Sequence, residues 1–405
     1  MDRFARGQFQ VTYEARVDVG ALRQKRIANA QRRREEAQLD ALLVWKDENV
    51  RYLTDLRPQL IAGKSTALNG ALLIADHPPI LFCSGGERDR AERTMPWITE
   101  IHTIPIIEER SLIEGFVRAI LSPVLQKHGL MRARLGMDEA NTSVVQFISK
   151  YLPEVRIEDG DTPMLLARRI KLPEEIAMLE EATALADAVT ASGVAAIAEG
   201  VRECDVAGEA MRTLFRLGGE YAHVMTPFVA SGEHMSPPHR ISSDKLIRNG
   251  DLVFIDIGAN WNGYFGDVAR TTICGEPSRQ QQEIFTAVYG ALHAGIAKMR
   301  PGCTNQDAAQ AIIQTAEKYN LGKRFLSLFI GHGVGANEPP YIGETLPGAP
   351  VYEFQPGMVF AVEPLIWVEG VRGGGGVRLE EMVLITDGDA HVMSRAPFEE
   401  KLLLK

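Results

Sequence analysis

The sequence predicts two domains, an α/β domain over residues 1–163 and a larger α+β domain over 164–405 in which helices flank a curved antiparallel sheet. Three observations carry this. Short apolar runs of strand length alternate with helical stripes up to about residue 160, the pattern of a self-contained α/β unit. The breaker Asp161-Thr162-Pro163 then interrupts the pattern. Beyond it come long helices, followed by a last stretch rich in short strands and glycine.

In order, residues 21–36 read as a helix whose Arg32-Arg33-Arg34 is answered at once by Glu35-Glu36, a solvated face. Leu39–Trp45 is a strand, and Asn49–Thr54 starts a short helix or turn. Gly70–Ala75 and Ile80–Cys83 are strands separated by His77-Pro78-Pro79. Leu112, Ile113, Phe116, Val117, Ile120, Leu121 and Val124 form an apolar helical stripe. Leu135–Met137 is a further strand, and Ser143 is expected to cap a helix burying Val144, Val145, Ile148, Tyr151 and Leu152.

In the second domain a helix starts at Pro173 with Glu174 and Glu175 in its first turn, and buries Ile176, Leu179, Leu185 and Val189. Another spans about Val206–Leu217 and stops at Gly218-Gly219. A third carries Ile284, Val288, Leu292 and Ile296 and ends before Pro301-Gly302. Thr304 and Asp307 form a capping box for a fourth.

Composition bounds the function. Net charge is −9 with 24% charged and 45% hydrophobic residues, which disfavours nucleic acid or an anionic membrane as partner. No apolar run approaches the ~18 residues of a membrane span, and Arg16, Arg23, Lys25 and Arg26 break any signal-like core. Cys83, Cys204, Cys274 and Cys303 show no CxxC spacing and read as thiols of a reducing compartment, so a cytoplasmic protein is expected.

The chemistry centres on Phe254–Asp267, a strand, a turn and a second strand with Asp256 and Asp267 on its two arms. The residues midway between them fall in Ala259–Gly263, so a hairpin folded there sets the two carboxylates opposite each other, roughly 5 Å apart at Cβ. Asn262-Gly263 could instead shift the turn by one residue, and a bulge would then be needed to restore the pairing. Five further candidates follow. His332 lies among glycines in Ile330–Gly335, and Glu363 ends a strand before Pro364. Arg378 and Glu380 share the strand face opposite Val377, Leu379, Val383 and Ile385, while Glu381 points away from Glu380. His239 stands in Ser236-Pro237-Pro238-His239.

Four carboxylates and one imidazole (Asp256, Asp267, His332, Glu363, Glu380) require cations to gather, and two divalent ions would neutralise them. Oxygen ligands with one imidazole and no thiolate suit Mn2+, Co2+, Fe2+ or Zn2+ in an open catalytic site that holds a bridging hydroxide and polarises a carbonyl.

The order Asp256, Asp267, His332-Gly333, Val362-Glu363-Pro364 and Arg378-Leu379-Glu380 resembles the pita-bread metalloenzymes: prolidase, aminopeptidase P, methionine aminopeptidase and creatinase. Leu42-Leu43-Val44 with Asn49–Thr54 resembles the amino-terminal domain of the creatinase and prolidase branch. Ser231-Gly232-Glu233, Gly250–Val253 and Arg270-Thr271 are also similar to the prolidase pattern. The resemblance implies a pita-bread catalytic domain preceded by a creatinase-type α/β domain, Xaa-Pro dipeptidase-like hydrolysis with Mn2+ foremost, and a homodimer. It implies that Asp256 chelates one metal, that Asp267 and Glu380 bridge both, and that His332 and Glu363 complete the second, with Glu363 shuttling a proton. His239 would steady the substrate or oxyanion, and Arg378 would either orient Glu380 or form a simple salt bridge.

One stretch departs from the proline-specific pattern. His332–Tyr341 is two residues shorter, and Asn337 stands where a second histidine is expected, so Asn337 and Tyr341 become candidate substrate contacts. Asparagine donates a hydrogen bond but carries no proton at neutral pH. The short loop Val368–Gly376 offers Arg372 either as a clamp for a substrate carboxylate or as a solvated turn. The alternatives to a dipeptidase are therefore a creatinase-like or ectoine-hydrolase-like C–N hydrolase, a lyase of the dimethylsulfoniopropionate-cleaving type, and, last, a non-catalytic binding module.

Overall fold

Ala41-Leu42-Leu43-Val44 is apolar at every position because both faces of its strand are covered. In the computed structural model Ala41 and Leu43 join one buried cluster, while Leu42 and Val44 join another. Residues 17–404 are described apart from 58–68, 106–108, 140, 221–226, 240, 322–329, 335–337 and 343–349. They cluster in two compact units, Met1–Arg168 and Arg169–Lys405.

The first unit holds a mixed sheet of β1 (Ala41–Val44), β2 (Gly70–Ile74), β3 (Ile80–Cys83), β4 (Ile101–Thr103), β5 (Arg134–Met137) and β6 (Arg156–Asp159), in the order β4-β3-β2-β1-β5-β6. One face is covered by α1 (Val19–Glu36), α2 (Asp47–Thr54), α3 (Gly85–Thr94) and α7 (Asp161–Arg169) through Ala30, Leu53, Ala91 and Met164. The other face carries α4 (Arg110–Phe116), α5 (Ser122–Lys127) and α6 (Thr142–Tyr151) through Phe116, Leu125 and Phe147. Three local expectations change. Leu112 is exposed rather than on the stripe, and Asn141, whose side chain accepts from Ser143 N, caps α6 in place of Ser143. Asp161-Thr162-Pro163 begins a helix, where proline is tolerated in the first turn.

The second unit opens with α8 (Pro173–Ala195), which starts at its proline and buries Leu179, Leu185 and Val189, with Ile176 half-buried. It pairs with α9 (Glu203–Arg216). Strands β7 (Phe228–Ser231), β8 (Leu252–Asp256) and β11 (Ala269–Ile273) form an antiparallel sheet in the order β11-β8-β7, and β9 (Ala259–Trp261) with β10 (Tyr264–Gly266) makes a separate hairpin. Helices α10 (Arg279–Ile296) and α11 (Asn305–Glu317) pack together, each with a capping box at its start: Ser278 with Gln281, and Thr304 with Asp307.

The last sheet is antiparallel, with β12 (Gly331–Gly333), β13 (Glu338–Ile342), β14 (Val359–Val362), β17 (Glu381–Leu384) and β18 (His391–Val392) in the order β13-β12-β14-β17-β18. Beside it β15 (Leu365–Trp367) pairs with β16 (Gly376–Arg378). Val377, Leu379, Val383 and Ile385 lie in one core with Ile284, Val288 and Leu292 of α10, as their alternation predicts. Among the described residues, no helix is long and apolar enough to cross a membrane.

Candidate metal centre

Each chemistry-bearing side chain of the second unit sits at a strand end or a seam between strands. Asp256 is the last residue of β8, and Asp267 follows β10. His332 is the middle residue of β12, paired with Tyr341 and Ala361. A Cβ at the preceding Gly331 would lie 2.5 Å from the Ala361 carbonyl oxygen, so only glycine lets β12 approach β14 there. Glu363 follows β14, its backbone N–H donating to Ile330 O at 2.8 Å. Glu380 lies between β16 and β17, its N–H donating to Ala269 O at 3.1 Å.

The hairpin register differs from the midpoint expectation. Trp261 pairs with Tyr264, so Asn262-Gly263 forms the two-residue turn, with φ of 51° and 85°. The same register leads without a shift to Asp256 opposite Ala269, so Asp267 lies two residues off the partner of Asp256 instead of facing it. Asp256 and Asp267 are therefore not a directly facing pair.

They do converge. Ligand atoms of Asp267, His332 and Glu380 lie within 4.8 Å of one another. His332 Nε2 is 3.4 Å from Glu363 Oε1 and 3.7 Å from Asp267 Oδ2. Its Nδ1 is 3.0 Å from Gly333 O; that nitrogen must donate to a carbonyl, so Nε2 is the ring atom turned to the carboxylates. Arg378 Nη1 joins Asp256 Oδ2 at 2.6 Å and Glu363 Oε2 at 2.9 Å. Thus Arg378 holds Asp256 and Glu363, not Glu380, to which it makes no hydrogen bond among the described residues.

Four carboxylates face one guanidinium here. Burial, then the charges of Asp256 and Glu363, push the Asp267 carboxyl well above the usual range; burial, then Asp267 and Glu363, do the same to Glu380. The effect is firmer at Glu380, 1% exposed, than at Asp267, whose side chain keeps 29% exposure. Burial opposes the Arg378 charge, but Glu363, Asp256 and Glu380 outweigh it and keep the group cationic. Among the described residues Glu380 Oε2 is buried without a hydrogen-bond partner. An orphaned carboxylate oxygen beside an oxygen-rich donor set with one imidazole fits divalent cations.

This fixes a pH dependence. Unfolded carboxyls ionise near pH ~4, whereas folded Asp267 and Glu380 without a cation keep protons above that. Their contribution to stability is fully present below the unfolded value and is lost as pH rises through the raised folded values. A bound cation removes the penalty, so the metal-induced gain in Tm is expected to grow from about pH 5 to about pH 8. Thermal denaturation with and without chelator measures this, and a pH-independent gain would count against it.

Sequence reasoning missed two supports. The Thr271 hydroxyl donates to Arg378 O at 2.8 Å and accepts from Arg378 N at 3.1 Å, fastening β16 to β11. Thr271→Val is expected to lose about 1–3 kcal/mol by leaving those backbone groups unpaired, read by urea denaturation. The other is Arg270, 2% exposed, which reaches the backbone of Glu380 and the side chain of Glu381. The sequence marked Arg270-Thr271 only through its likeness to the prolidase pattern, without the contacts that the two side chains make.

The remaining candidates lie differently. His239 is exposed, its ring stacked on His234 at 4.2 Å, and none of its contacts among the described residues reaches the cluster. Arg372 is exposed in a turn whose backbone is pinned: Gln281 Nε2 donates to its carbonyl at 3.3 Å, and Leu252 N to Gly373 O at 2.7 Å. Tyr341 is described only as the strand partner of His332, and Asn337 lies outside the described residues.

Comparison with known proteins decides the family. Residues 177–387 match the model of metallopeptidase family M24, and 26–170 match the Creatinase/Prolidase N-terminal domain. The chain belongs to metallopeptidase family M24. Membership of family M24 places it among metal-dependent hydrolases with a pita-bread catalytic domain behind a creatinase-type amino-terminal one. An Xaa-Pro dipeptidase of Pyrococcus furiosus is 34% identical over 237 residues, spanning 57% of this chain and 65% of that protein, just under two thirds of its length. An Xaa-Pro dipeptidase of Pyrococcus horikoshii is 28% identical over 89% of this chain and 94% of its own. The solved structure of an Xaa-Pro dipeptidase from Bacillus anthracis superposes with a TM-score of 0.77 at 24% identity, over 93% of this chain and 99% of that one, which speaks to the fold.

Proposed function

We propose that the chain hydrolyses a C–N bond as an Xaa-Pro dipeptidase-like enzyme dependent on two divalent metal ions, Mn2+ foremost. The observation that carries this is the convergence of Asp267, His332 and Glu380, one oxygen of Glu380 being buried without a hydrogen-bond partner among the described residues, with Asp256 and Glu363 tied to the same cluster by Arg378. The names of the Pyrococcus relatives support the dipeptide as substrate.

Asp256 and Asp267 would hold one ion, His332 and Glu363 the other, and Asp267 and Glu380 would be shared. When bound, the ions supply a nucleophilic hydroxide at neutral pH and polarise the scissile carbonyl. Glu363 takes the proton released by the attacking water on a carboxylate oxygen and passes it to the leaving nitrogen. Arg378 fixes the direction of Asp256 and Glu363 by charge-assisted hydrogen bonds. His239 is assigned as a donor to the substrate or the developing oxyanion, and Asn337, Tyr341 and Arg372 as substrate contacts. The four free cysteines fit a reducing, cytoplasmic compartment, and the homodimer rests on the family resemblance alone.

Manganese-loaded protein is expected to turn over a panel of Xaa-Pro dipeptides and to lose that turnover to a chelator. Protein holding two metal ions but inactive on every dipeptide would sink the dipeptidase reading and move the search to small cyclic amidines and lactams.

A further inference from the structure

We propose that His77, Glu100 and His128 of the first unit form a second, separate metal site that takes one zinc-type divalent cation. Three elements bring them together. His77 lies in the turn between β2 and β3, Glu100 directly precedes β4, and His128 caps the C-terminus of α5. Their ligand atoms lie within 4.8 Å of one another. Glu100 Oε2 faces His128 Nε2 at 3.0 Å and His77 Nε2 at 4.0 Å. Donors around tetrahedral zinc, with bonds of ~2.1 Å, lie about 3.4 Å apart. The observed separations bracket that value, so small side-chain rotations close the site.

Three features set this cluster apart from an ordinary ion pair. His77 Nδ1 meets the Pro78 carbonyl at 2.6 Å; it must donate there, which fixes the tautomer and leaves Nε2 with its lone pair toward Glu100. A backbone carbonyl on the far nitrogen is the usual brace of a ligating imidazole. Glu100 Oε1 is held by His102 Nε2 at 2.8 Å, and His102 stacks on Phe82, so Oε2 is the oxygen presented to the two imidazoles. Lys127 Nζ already pairs with Oε2 at 2.7 Å, so His77 and His128 are surplus to charge balance.

Lys127 is the competitor. Its side chain is 62% exposed and free to swing into water, whereas Glu100 and His128 are 10% and 12% exposed. Burial would raise the Glu100 carboxyl, but hydrogen bonds from Lys127, His102 and His128 outweigh it and hold it at about 2, so the ligand is ionised at any working pH. Two imidazoles with one carboxylate and an open side suit zinc better than manganese or magnesium.

The full chain is stripped with chelator, dialysed against Zn2+ near neutral pH and analysed for bound zinc. The parent is expected to hold one equivalent more than His77→Asn, His128→Asn or Glu100→Gln, whatever number the carboxylate cluster holds. His102→Ala is expected to weaken that equivalent about tenfold by freeing the carboxylate. Lys127→Ala is expected to strengthen it, whereas the same change would only loosen a simple ion-pair cluster. Equal zinc content in the parent and the three ligand variants, each with an unchanged circular dichroism spectrum, would overturn the proposal, as would weaker zinc binding in Lys127→Ala.

Discussion

Glu380→Gln is expected to lose on the order of a thousandfold or more in kcat/KM on an Xaa-Pro dipeptide, because a carboxylate proposed to hold both ions is removed while its shape is kept. The metal-free variant should at the same time be more stable than the metal-free parent at neutral pH, by roughly 1–3 kcal/mol. Glu380 is buried against Asp267 and Glu363, and both burial and those neighbours oppose its charge. Substrate kinetics give the first effect, and urea denaturation in chelator gives the second. Full turnover by the variant would remove Glu380 from the centre. A stability loss with intact metal binding would make it a packing residue.

Arg270→Met carries the second large effect. The guanidinium donates to Ala396 O through Nε at 3.0 Å and Nη2 at 2.6 Å, to Ala269 O at 3.0 Å, and to Glu380 O. It also pairs with Glu381 Oε1 at 3.0 Å and lies 4.2 Å over the Phe398 ring. Glu381 in turn accepts from Ser394, and Ala396 N donates to Asp187 of α8 at 2.8 Å. Removing the cation strands a buried carboxylate and several carbonyls, so a loss of about 3–5 kcal/mol is expected in chemical denaturation. Metal affinity should fall with it, since the Glu380 backbone loses a fixed donor. An unchanged denaturation midpoint would show that the pocket repacks around methionine at no cost.

The residues that converge stood out in the sequence because most lie beside a local signal: Gly258 and Gly266 near the aspartates, glycines flanking His332, Pro364 after Glu363. Alternation also placed Val377, Leu379, Val383 and Ile385 in the core. Register was not legible. Two turns one residue apart were both open, and only the left-handed conformations at Asn262 and Gly263 choose between them. Partners across the fold were hidden as well. Arg378 shares a strand face with Glu380, yet Asp256, 122 positions away, is what it grips. Glu381, which parity turned away from the centre, proved to be the anchor of Arg270. His77, Glu100 and His128 each look unremarkable in line, because the sheet order that gathers them is a property of the folded unit.

The spread of the cluster along the chain has a consequence for biosynthesis. Asp256 and Asp267 leave the ribosome more than a hundred residues ahead of Arg378 and Glu380, and no local segment contains a complete set. Until the final strands are made, the early aspartates have neither Arg378 nor Glu380 beside them. Gathering the set requires long loops to close, at a cost in chain entropy that comes before the contacts repay it. A chain released before Arg378 therefore lacks the guanidinium that holds Asp256 and Glu363, and with it Glu380. A cation that binds only the finished cluster would add about 1.4 kcal/mol to the folded state for each tenfold excess over its Kd.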